Sequence, residues 1–168
     1  MLILIVALFF ASPSSCCDDN VWRGIQPLKT SRHEVKKLLG PPTADSVSPY
    51  ASKYLTHDGD VSITFSRGGC DSELNSGWNV PELTVLQIAF YPSPKIPIAN
   101  LRFDRDKFNA RSDSDIIDLL EYVNREDGIS ITVDTDLQLV ESVIYSPNNA
   151  DRYLLCKCEV ESETRPAY

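Results

Sequence analysis

The chain has 168 residues, 42% hydrophobic and 24% charged, the balance of a globular protein and not of a disordered one. With 24 acidic against 16 basic residues it carries a net charge of −8, which argues against nucleic acid and against polybasic attachment to anionic lipid. That charge aids solubility without identifying a partner.

The chain opens on an unbroken apolar run, MLILIVALFFA. A membrane-crossing helix needs ~20 apolar residues, whereas the core of a signal peptide needs only ~7–15. Residues 1–15 therefore read as an export signal, although no Lys or Arg precedes the run. A general signal peptidase would use Ser12/Ser14 or Pro13/Ser15 as its small residues, while a lipoprotein peptidase would cut before Cys16. Lipidation of Cys16 would be the only membrane contact, through an N-terminal anchor. The expected location is the periplasm, the outer envelope or the exterior. About 150 residues remain after cleavage, enough for one domain over 21–158 with a sizeable core.

The segment SRHEVKKLLGPP predicts a helix of two to three turns. Ser31 is its N-cap, Glu34 completes a capping box, and Gly40 with Pro41-Pro42 ends it. Val35, Leu38 and Leu39 share a face, which Trp22, Ile25 and Leu28 would cover. Strands are expected from Tyr50 to Thr56 and over VSITF, residues 61–65, on period-2 alternation and β-branched content. A Gly/Ser/Asn-rich loop from Arg67 to Val80 holds Cys70 and Trp78, and a further strand runs from Thr84 to Tyr91. Pro92, Pro94 and Pro97 break the connector that follows.

The second half reads in the same order. SDIIDLLEYVN, Ser114 to Asn124, has helical spacing with Ser114 or Asp113 as cap; ISITV and Leu137 to Tyr145 are strands, and YLLCKC is a last one. The pairs Asp58-Gly59 and Asp127-Gly128 each precede a Ser-Ile-Thr strand, which suggests duplicated units of about 21–98 and 99–158. Residues 159–168 are polar, contain Pro166 and read as a flexible tail. The expected fold is α+β: two related units, each a short helix packed on an antiparallel sheet, sharing one core. Strands joined by short Asp-Gly and Asp-Thr-Asp turns disfavour a βαβ arrangement.

Cysteines in an exported chain are first read as disulfide partners. Cys16 and Cys17 sit at the processing site, leaving Cys70, Cys156 and Cys158. A strand would place Cys156 and Cys158 on one face, so that one of them meets Cys70. Cys156 is the preferred partner because Cys158 borders the tail, and Cys158 is the alternative. No metal, cofactor or catalytic set is expected: His33 and His57 lie on a helix surface and in a turn, without the frame a nucleophile requires. Asp104, Asp106, Asp113 and Asp115 lack the glycine of a calcium loop, and Asp134 and Asp136 suit a turn. Trp22, Trp78, Tyr91 and Tyr145 stand at element ends, as core lids or, where exposed, as anchors for a protein partner.

The stretches W-R-G-I-x-P-L and R-x-x-V-x-x-L-L-G-P-P (from Trp22), W-N-V-P (Trp78 to Pro81) and Y-V-N-R-E-D-G-I-S-I (Tyr122 to Ile131) resemble a group of exported bacterial proteins. The resemblance covers most of Trp22 to Cys156 and implies export without a known activity. More distantly, G-I-x-P-L-x-T-S-R-x-E-V-x-x-L-L-G-P-P is similar to the motif of the SmpA/OmlA lipoproteins of outer-membrane β-barrel assembly. The tandem units are similar to those of secreted β-lactamase-inhibitor proteins. The expected function is binding to an unidentified protein partner, as an inhibitor or assembly accessory, without catalysis. The alternative is a small secreted hydrolase with a carboxylate or histidine site.

Overall fold

The structure, a computed structural model, describes residues 20–45, 48–72, 77–112 and 118–157. The expected signal with Cys16 and Cys17, the caps Asp113 and Ser114, Cys158 and the tail lie outside the described residues. Among the described residues, no helix is long and apolar enough to cross a membrane.

Helix α1, Arg32–Leu39, forms as its punctuation dictates. Ser31 Oγ accepts the Glu34 amide at 3.3 Å, and the Ser31 amide donates to Glu34 Oε2 at 2.7 Å. That backbone bond, then the one from the Ser31 hydroxyl, holds the Glu34 carboxyl below the usual range. Gly40, at φ +82°, closes the helix by donating its amide to Lys36 O at 3.0 Å. Val35 is fully buried, but Leu38 is 53% exposed, so the apolar stripe is narrower than its spacing suggested.

Among the described residues nine strands follow: β1 (Ala44–Asp45), β2 (Ala51–Thr56), β3 (Gly59–Phe65), β4 (Val85–Pro92), β5 (Ile96–Pro97), β6 (Asn109–Ser112), β7 (Leu119–Asn124), β8 (Ile129–Asp134) and β9 (Leu139–Tyr145). They form one antiparallel sheet in the order β1-β2-β3-β4-β9-β8-β7-β6, with β5 paired on β9. With helix α1 against it, the fold is α+β. The chain thus lays down two meanders, β1 to β4 and β6 to β9, whose last strands pair with each other. In both, the register shifts just after the threonine of the Ser-Ile-Thr strand, at Thr64/Phe65 and Thr132/Val133.

The pleat sorts side chains into transverse rows, because neighbouring residues on a strand face opposite ways. One row crosses the core face through Tyr54, Val61, Phe90, Val143, Ile131, Tyr122 and Ala110. Residues of the N-terminal segment and of helix α1 cover its first half, with Trp22 against Phe90 at 5.8 Å between ring centroids. The loop 98–108 covers the second half, where Phe103 meets Phe108 at 5.1 Å and Tyr122 at 5.7 Å, both edge-on.

Two expected elements are corrected. Residues 119–124, expected as the end of a helix, are strand β7 between β6 and β8. The run LLEYVN fits either period: as a strand it turns Leu120 and Tyr122 to the core face and Glu121 and Val123 away. Pairing with both neighbours then outweighs a weak helical preference. YLLCKC is not a strand either. Residues Asn149–Leu154 form a 3-10 helix that starts with a capping box, Asn148 Oδ1 accepting the Asp151 amide at 3.1 Å. That cap lies upstream of the alternation on which the strand reading rested.

The β2–β3 turn is latched to the N-terminal segment. Arg23 Nη2 donates to Asp58 Oδ2 at 2.6 Å, and the Thr56 hydroxyl lies 2.6 Å from Asp58 Oδ1. Partial burial pushes the Asp58 carboxyl up, but the Thr56 hydrogen bond and the Arg23 charge outweigh it, leaving Asp58 below the usual carboxylate range. A carboxyl depressed in the folded state stabilises above its unfolded pKa, and that contribution is lost as pH falls through the lower folded value. Asp58→Asn is therefore expected to narrow the gap between urea midpoints measured at pH 7 and at pH 3. An unchanged gap would show that this latch does not contribute to acid sensitivity.

Candidate functional site

The four aromatic residues separate into two groups. Trp22, at 7% exposure, and Tyr145, at 5%, are core residues, so they are lids and not anchors. Trp22 lies under the Arg23 guanidinium, 5.1 Å from the ring centroid, and Tyr145 pairs with Ile88 and Ile129 on the core face. Tyr91 is 46% exposed on the opposite face, and Trp78 is partly exposed at one end of it.

Among the described residues no helix lies across that opposite face, although Ala89, Val123 and Ser142 on it are each less than 10% exposed. One transverse row across it reads Lys53, Ser62, Ala89, Ile144, Ser130, Val123 and Asn109. Around the seam of the three central strands β4, β9 and β8, the row positions and their nearest same-face neighbours are Gln87, Ala89, Tyr91, Ser142, Ile144, Ser130 and Thr132, none of them charged. Charge begins away from this patch: Asp134 ends β8, Glu141 stands near the start of β9, Lys53 and Asp60 stand on β2 and β3, and Arg111 meets Glu121 at 3.4 Å across β6 and β7. Lys95 pairs with Glu141 beside β5. Side chains this small, flanked by Tyr91 and by Leu55, leave a low surface against which another protein surface can close.

One end of the face is walled. Cys70 is bonded to Cys156, with 5.4 Å between their Cα atoms, the partner expected because Cys158 borders the tail. Next to that bond, Trp78 and Leu155 form a β-bridge, the Asn79 amide donates to Leu154 O at 2.7 Å, and the Cys156 amide donates to Gly77 O at 2.9 Å. The wall closes a groove of about 270 Å³ whose floor includes Val123 and Ser130 of the outward row. Pro147, Asn148 and Asn149 line one side, with Arg125 and Arg152 at the rim. Among the described residues, neither Asp nor Glu lines it. The nearby carboxylates are engaged elsewhere: Asp127 accepts Asn124 Nδ2 at 2.7 Å, Glu126 accepts Asn149 Nδ2 at 2.7 Å, and Asp151 serves the capping box of Asn148.

The sequence pointed to Trp78 but not to the arginines beside it. Their signal was local: Arg125 sits within the Asn124-x-x-Asp127 turn, and Arg152 follows the Asn148–Asp151 cap. In both places the acid is consumed by the turn and the neighbouring arginine is left to solvent. Asp113 and Asp115 lie outside the described residues; the other acidic candidates and the histidines are turn and surface residues. Asp104 caps a 3-10 turn by accepting the Asp106 amide at 3.2 Å, Asp134 accepts the Asp136 and Leu137 amides at 3.0 and 2.8 Å, and His33 and His57 are exposed. No protein-family model matches the chain, and no match was found among curated proteins or among solved structures.

Proposed function

We propose that the chain is an exported protein of the cell envelope or exterior that acts by binding another protein through the uncovered face of its sheet. The observation that carries this reading is the absence of charge from Gln87, Ala89, Tyr91, Ser142, Ile144, Ser130 and Thr132, the outward positions around the β4–β9 seam, in a chain where charge makes up 24% of residues. Depletion of charge at the centre with aromatic residues beside it is the composition of a protein interface core. The disulfide and the apolar run at residues 1–11 support export, since disulfides persist in oxidising compartments.

The same reading takes the two meanders as duplicated units. Ser62 and Thr64 in one, and Ser130 and Thr132 in the other, face outward, and each strand has its register shift at the same point. Duplication would give the face two similar halves meeting at the β4–β9 seam.

The test is a charge placed at the centre of the face. Ala89→Arg, at a position 8% exposed, is expected to abolish chemical cross-linking of the full chain to its partner in native envelope or culture fluid, while the circular-dichroism spectrum shows that the variant is folded. A partner retained at full yield by the folded Ala89→Arg protein would remove the face from the function.

A further inference from the structure

Resting on that reading, we infer that the Trp78 groove is the anchoring point of the face and that it takes a carboxylate-bearing loop of the partner protein, with an apolar side chain next to the carboxylate. The groove runs against the charge of the molecule. The chain has 24 acidic and 16 basic residues, yet among the described residues two arginines and no acid line this groove. The carboxylates beside them in sequence, Glu126, Asp127 and Asp151, hydrogen-bond to asparagines or to a cap, so the guanidinium donors of Arg125 and Arg152 form no ion pair among the described residues.

A guanidinium presents a planar fork of donors that suits a carboxylate better than a neutral group. Trp78, Leu155, Pro147 and Val123 supply the apolar surface for the neighbouring side chain. The wall is held in place before anything binds, because the disulfide and the Trp78–Leu155 bridge tie its two segments together. A ligand therefore loses little affinity to ordering the site. Trp and Arg gathered in one partly enclosed spot are also the residue types that dominate interface energetics.

The probe is the blocked tripeptide acetyl-Asp-Phe-Asp-amide, titrated into the full chain and followed by the NMR signals of the two tryptophan indole N–H groups. The Trp78 signal is expected to move and the buried Trp22 signal to stay. The neutral isostere acetyl-Asn-Phe-Asn-amide, and the variants Arg125→Gln and Arg152→Gln, should each weaken binding about fivefold, the upper range for an ion pair open to solvent. Added salt should weaken the acidic peptide alone.

Equal binding of the neutral peptide, indifference to both arginine variants, or no movement at Trp78 would each overturn the assignment. Tighter peptide binding after Glu159, Glu161 and Glu163 are changed to glutamine would make the chain's own acidic end the occupant, and would overturn it too. None of these readouts uses the partner or Ala89. A failed groove is thereby distinguishable from a failed face.

Discussion

Removal of the Cys70–Cys156 bond is expected to lower the stability of the fold by on the order of 4 kcal/mol, and the melting temperature by about 10 °C. The two cysteines are 86 residues apart in sequence, so the bond closes most of the domain into one loop. A cross-link of that span mainly restricts the unfolded chain, and the cost of losing it grows slowly with loop length. The measurement is a urea denaturation series on the Cys70→Ser/Cys156→Ser protein beside the oxidised parent. A midpoint unchanged by the double substitution would show that the hydrogen bonds between residues 77–79 and 154–156 hold the wall without the bond.

Gly128→Ala is expected to cost about 2–4 kcal/mol, a large effect for one methyl group. The residue sits at φ +70°, a conformation that alanine adopts only with strain. Space is the more severe constraint: a β-carbon there would lie 2.2 Å from Ser146 O and 3.0 Å from Pro147 O, both backbone atoms. Relief requires the end of β9 to move away from the β7–β8 turn, and Ser146 and Pro147 also line the groove. The substitution should thus reduce both the denaturation midpoint and the response of the Trp78 indole signal to the acidic peptide. A midpoint within experimental error of the parent would mean that the turn repacks freely.

Where the chain carries its own punctuation, the sequence was sufficient to read it. Helix α1 follows from Ser31, Glu34 and Gly40, and β3 and β8 follow from the alternation in VSITF and ISITV. The strand β7 was not legible, because Leu120, Tyr122 and Val123 satisfy two periods, and the deciding partners, β6 and β8, come from other parts of the chain. Leu38 illustrates the same limit: its place on the helix was predictable, but whether anything would cover it was not. Half of the candidate site was visible. Cys70, Cys156 and Trp78 stood out as residue types, whereas Arg125 and Arg152 became notable only once the structure showed which acids were already engaged. The uncharged patch at the β4–β9 seam was hidden for a related reason, since it is assembled across strands and never appears as a run in one of them.

The order of strands in the sheet also carries a consequence for how the chain reaches this state. Every pairing along the main path joins neighbours in sequence except one, the seam between β4 and β9. Contacts between sequence neighbours form quickly because little chain has to be gathered to make them, while distant contacts must wait for larger losses of freedom. Each meander can therefore assemble by its own hairpins, and the late event is the closing of a single antiparallel seam, at which Ile88, Ala89 and Phe90 meet Tyr145, Ile144 and Val143. Before that closure each half exposes the unpaired edge of its last strand, β4 or β9, so the interval in which two chains can exchange halves lasts only as long as the seam stays open.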